Sequence, residues 1–132
     1  MKPNSRATYS WASVRFHFYL SGRTRQGCTG LPGGCPLLNT AVDSDNGNPV
    51  LRDRVRKALR NWQAMLRAIL EDGIQAGAIR ADVNAQAAAN HIIGGLEGAM
   101  LISRIERNDS ALRESLKHLD AYVDSELRQP PR

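Results

Sequence analysis

From Asn48 to Leu127 the apolar residues recur three and four positions apart, the spacing of helices that each bury one stripe. Leu51, Val55, Leu59, Trp62, Met65, Leu66, Ile69 and Leu70 form the clearest stripe, on a helix that Asn48 caps and Pro49 opens. Its other face carries Arg52, Asp53, Arg56, Arg60, Gln63, Arg67 and Glu71, and Gly77 supplies a stop, so the helix is expected to run from Pro49 to Ala76. Ahead of it the breaker GlyGlyCysPro, Gly33 to Pro36, leads into Leu37, Leu38, Ala41 and Val42, a short helix closing in the polar loop Asp43 to Asn48. After the loop Ala78 to Val83, Asn84 can cap a third helix, Ala85 to Ile105. Asp109 or Ser110 can cap a fourth, in which Leu112, Leu116, Leu119, Val123 and Leu127 make a heptad-like seam. The pattern predicts an all-α antiparallel bundle, ending where Gln129, Pro130 and Pro131 cannot continue a helix.

The third helix has two apolar faces. Ala88, Ala89, Ile92, Ile93, Leu96, Ala99 and Met100 share one, while His91, Gly94, Gly95, Gly98, Leu101, Ile102 and Ile105 lie opposite; Asn90, Glu97 and Arg104, seven residues apart, draw a polar stripe between them. Both faces need cover. The chain's own helices can cover the first, and a second subunit is expected on the glycine face. Glycine costs a helix about 1 kcal/mol relative to alanine, so Gly94, Gly95 and Gly98 call for a close approach in return. In a two-fold arrangement these residues cross near the axis, with Leu116, Leu119, Tyr122 and Val123 of the last helix alongside.

Residues 1–34 read as an irregular basic leader: Val14, Phe16, Phe18 and Leu20 alternate like a strand with no second strand to pair with. The chain's net charge of +5 resides there, on Lys2, Arg6, Arg15, Arg23 and Arg25, and the rest of the chain is balanced. The charge is therefore a property of a tail rather than of a nucleic-acid-reading face, although arginines interleaved with aromatics could touch nucleic acid. The run Arg52, Arg54, Arg56, Lys57 and Arg60 points several ways around its helix and reads as solvated surface.

No enzyme constellation stands out: there is no acid and base pair on one face, no activated nucleophile and no phosphate loop. Cys28 and Cys35, with six residues between them in a Gly/Pro-rich loop, match no zinc-knuckle spacing and read as free thiols of a reducing cytoplasm. His91 and His118 have no metal-ligand partner at suitable spacing, so neither metal nor cofactor is expected. Arg15 and His17 interrupt any secretory signal, and Asn90, His91 and Glu97 interrupt the most apolar stretch, which excludes a membrane span. Trp62, Met65 and Met100 are large, adaptable side chains that suit either a ligand cavity or a plain core.

Three segments taken together, Gly33 to Asp43 (GGCPLLNTAVD), Glu71 to Asp82 (EDGIQAGAIRAD) and Leu96 to Arg104 (LEGAMLISR), resemble the C-terminal domain of TetR-family transcriptional regulators. The resemblance places that domain at residues 35–128, between the leader and a tail of residues 129–132. It implies an effector-binding and dimerisation domain whose last two long helices pair with their symmetry mates as a four-helix bundle. It also implies a cavity bordered by the helix from Pro49 and the first face of the helix from Ala85, with Trp62, Met65, Leu96 and Met100 as lining and Asn39 and Glu97 as polar contacts. Such regulators begin with a helix-turn-helix head, for which nothing before Gly33 has the length or periodicity. The expectation is a homodimeric, cytoplasmic ligand-binding domain without its own DNA-binding head. It would take a small apolar effector, bind no DNA by itself, and be able to pair with full-length relatives. The alternative is a stand-alone helical dimerisation or scaffold protein with no ligand.

Overall fold

A computed structural model describes residues 35–44 and 47–130. The readings made on the leader, on Cys28 and on Pro131 and Arg132 lie outside the described residues. Four helices follow one another: α1 Pro36–Ser44, α2 Pro49–Gln75, α3 Ala85–Glu106 and α4 Ser110–Tyr122, the last running on into a wider π-type turn, Val123–Leu127. The architecture is the all-α bundle that the apolar spacing predicts, and no strand occurs among the described residues. Close backbone approaches join α1 to α2, α2 to α3, and α3 to α4.

The helix ends follow local chemistry. Asn48 accepts the Leu51 N–H at 3.1 Å and Asn84 the Ala87 N–H at 2.9 Å, each satisfying a first-turn donor that has no partner within its helix. Gly77 leaves α2 at φ +71°, a left-handed conformation that glycine enters without steric cost. The start of α4 is built differently from the expected Asp109 or Ser110 cap. Asp109 makes no capping bond; the free N–H groups of Ser110 and Leu112 go to Asn108 Oδ1 and Ser103 Oγ, both at 3.0 Å. Asp109 instead pairs with Arg113 one turn on. α1 likewise extends into its expected closing loop, taking in Asp43 and Ser44.

The core lies between α2, α3 and α4. Leu66 and Leu70 of α2 meet Ala88, Ala89, Ile92 and Ile93 of α3, and Leu119, Val123 and Leu127 close the other side. Leu70 and Ile92 are the largest fully buried side chains, and shortening either to alanine would remove transfer energy and open a void. The π-type turn has a geometric reason. A stripe stepping by four from Leu119 to Val123 to Leu127 drifts off the face of a regular helix, and one wider turn, closed by Arg128 N–H to Val123 C=O at 3.0 Å, brings Leu127 back to 2% exposure. Beyond it Arg128 is extended and bridges Ile79 antiparallel, with Arg80 N–H on Leu127 C=O at 2.9 Å and Gln129 N–H on Ala78 C=O at 3.0 Å. The end of the described chain thereby fastens the loop between α2 and α3, and residue 129 belongs to this clip.

Candidate functional site

α3 organises the candidate surfaces because it passes through the molecule with three different environments around it. Its first face is filled from within: Ala88, Ala89, Ile92, Ile93 and Ala99 are all buried, with Leu96 packed against them and Met100 half-buried.

The opposite face stays open. Leu101 is 44% exposed, Ile102 51% and Ile105 69%, and His91, Gly94 and Gly98 are also exposed. Apart from the chain neighbours and the helix's own backbone, no atom lies within 4 Å of where a Cβ would stand at Gly94 or Gly98. Gly95 is different: a Cβ there would come 3.2 Å from Leu119 Cδ2, so this glycine accommodates α4 of its own chain. Leu119 and Val123, expected alongside a symmetry axis, are 6% and 9% exposed within one chain. Within one chain, then, Leu119 and Val123 are part of the core and Gly95 packs against Leu119 of α4. Leu116 and Tyr122 keep partial exposure. Tyr122 stacks at 54° on His91 with ring centroids 4.5 Å apart, so these two meet each other, and burial followed by the charge of Glu126 pushes the tyrosine pKa up.

The polar stripe turns out to be a docking seam. Asn90 Oδ1 accepts from Gln63 Nε2 of α2 at 2.9 Å, Glu97 Oε1 accepts from Cys35 Sγ at 3.1 Å, and Arg104 Nη1 donates to Asn39 Oδ1 of α1 at 2.6 Å. Each member of the stripe thus binds an earlier segment of the chain. Cys35 sits at the start of α1, where the N–H groups of Leu37 and Leu38 lie against its sulfur. Burial is the largest influence on this thiol and pushes its pKa up; those N–H groups act the other way, and the Glu97 carboxylate reinforces the rise. Cys35 is therefore held as a thiol that donates to Glu97. Sequence reading kept Cys35 apart from Glu97 and missed Ser103, which is 5% exposed. The seven-residue repeat of the stripe was the available signal for the first pair; a lone serine in an apolar helix gives none.

Of the residues expected to line a cavity, Trp62 and Leu96 pack against the core, Met100 is half-buried and Met65 is 38% exposed. Asn39 is committed to Arg104. A surface depression of about 400 Å³ lies elsewhere, between Arg80, Asp82, Ser125, Arg128 and Gln129. The basic run of α2 is exposed as expected, with Arg56 3.7 Å from Asp53. Among the described residues no group of His, Cys, Asp or Glu is placed to hold a metal ion, and no helix is long and apolar enough to cross a membrane.

Residues 17–119 match the family described as tetracyclin repressor-like, C-terminal domain, a match that reaches further toward the N-terminus than the boundary drawn at residue 35. Two solved structures are similar. One is a TetR transcriptional regulator from Chloroflexus aurantiacus, 40% identical, with a TM-score of 0.73 over 76% of this chain and 50% of that one. The other is a TetR-family regulator from Cytophaga hutchinsonii, 30% identical, with a TM-score of 0.77 over 86% of this chain and 56% of that one. The chain thus spans about half the length of each regulator. No curated protein matches it.

Proposed function

Because this chain belongs to the TetR family of transcriptional regulators and carries the family's C-terminal domain, we propose that it is an effector-receiving and dimerising module. Its role is binding rather than catalysis, in the cytoplasm, and it pairs with a second copy through the glycine face of α3. The observation that carries this reading is the open apolar surface of Gly94, Gly98, Leu101, Ile102 and Ile105, which the described helices leave uncovered. Apolar residues aligned on one helix face gain most when another apolar surface excludes water from them. A self-complementary patch on a long helix is the simplest way to build a two-fold contact. His91, Leu116 and Tyr122 would border it.

The effector side of the proposal rests on Trp62 and Met65 of α2 and Leu96 and Met100 of α3, partly exposed large side chains that can part to admit an apolar molecule. Binding there would shift α2 against α3 and so bias the arrangement of the two subunits. In a whole regulator that coupling free energy would set the separation of the DNA-reading heads. The same contact would accept a subunit of a full-length relative, and the mixed dimer would then hold DNA less well.

Ile105→Glu tests the shared surface. At 69% exposure this side chain contributes little to a lone subunit's fold. The charge is expected to convert a dimer into a monomer in sedimentation while helicity is kept, and to abolish co-purification with a co-expressed full-length relative. A variant that stayed dimeric would remove the proposed contact.

A further inference from the structure

Glu97 holds the least satisfied polar group of the bundle. Its Oε1 accepts from the Cys35 thiol at 3.1 Å, whereas Oε2 is shut off from water with no hydrogen-bond partner. Glu97 takes part in none of the ion pairs between described residues. The nearest cation on its stripe, Arg104, lies two turns along α3, about 10 Å on the axis, and is engaged by Asn39. A carboxylate with one oxygen cut off from water, one weak sulfur donor on the other and no ion pair among the described residues is a costly arrangement, and what relieves it best is a cation that also donates hydrogen bonds.

We propose that Glu97 recognises the protonated amine of an otherwise apolar ligand, with Cys35 as the internal donor that occupies the site in the ligand's absence. The inference rests on the effector reading above and adds the chemical class to it. The surroundings fit that class. Met100, one turn along α3, and Leu96 beside Glu97 offer apolar surface for the body of such a molecule, while a carboxylate repels an anionic head. An amine that engages Glu97 competes with the thiol at the start of α1. α1 is tied to α3 by the hydrogen bonds of Cys35 and Asn39, so ligand binding would loosen one of these two ties.

Three probes that share one apolar body and differ only in the head separate the outcomes: phenethylamine, phenethyl alcohol and phenylacetate, titrated calorimetrically into the full chain at neutral pH. The amine is expected to bind about tenfold or more tighter than the alcohol, as a charge-assisted hydrogen bond provides, and phenylacetate least of the three. Glu97→Gln should bring amine and alcohol level. Cys35→Ala, which removes the competing donor, should tighten the amine alone, and this arm decides the matter if Glu97→Gln fails to fold. Equal affinity for amine and alcohol in the wild-type chain overturns the role of Glu97 while leaving an apolar effector site standing. Binding of none of the three overturns the effector reading, and the inference with it.

Discussion

At the scale of single residues, two side chains do work that their types alone do not announce. Cys35 combines an N-terminal helix position, which favours a thiolate, with burial and the adjacent Glu97 carboxylate, which oppose it, and the net effect is a raised pKa. The native thiol is therefore expected to react slowly with iodoacetamide at neutral pH. In a Cys28→Ser background its alkylation rate should climb only as pH passes above the ordinary thiol range, and the denatured chain should react faster at every pH below that. A native rate equal to the denatured one would contradict the contact with Glu97. The sign for stability follows: a folded-state pKa above the unfolded value means that this group's contribution is complete at neutral pH and fades as alkaline pH deprotonates it. Ser103 is the second case. Its buried hydroxyl accepts the Leu112 N–H across the turn from α3 to α4. Ser103→Ala leaves that donor unpaired in a dry site, and urea unfolding should show a loss of about 1–3 kcal/mol. An unchanged midpoint would show that water reaches the turn.

At the scale of elements, much was legible because the determinants are local. Asn48, Pro49, Gly77 and Asn84 mark helix ends by satisfying or avoiding backbone groups, and the structure uses each as its chemistry suggests. The two apolar faces of α3 were equally legible, since helical spacing alone separates Ile92 from Ile102. Partners were harder to read. The seam of α4 looks the same whether it packs on its own chain or on another, and only the fold shows that Leu119 lies on Gly95 of the same subunit. The π-type turn was invisible for a related reason: a fourth step in the stripe can be read as drift, and the correction becomes visible only in the backbone. In the polar stripe the spacing was plain, but the hydrogen-bond partners of Glu97 and Arg104 lie 62 and 65 positions away in sequence. No window of local pattern spans that separation.

At the scale of the whole molecule, the described chain has a filled interior and one unfilled side. The interior is built around Leu70 and Ile92, both fully buried. The unfilled side is where the chain accepts glycines that weaken a helix and large apolar groups that face water. Both features make sense together if a second α3 crosses there, because the missing Cβ atoms let two backbones approach and the flanking isoleucines then lose their contact with water. The basic run of α2 lies away from this argument, exposed and partly neutralised by Asp53.

The most direct test is the mass of Gly98→Leu beside the wild-type chain in sedimentation, with circular dichroism on both. Within one subunit the added side chain meets open space, since nothing beyond the chain neighbours and the helix's own backbone lies within 4 Å of a Cβ at this position, and leucine favours a helix over glycine. Helicity and thermal stability of the subunit should therefore be preserved or improved. The account predicts a dimeric wild type and a monomeric, fully helical variant. A variant that sediments as a dimer like the wild type, or a wild type that is itself monomeric, would contradict it.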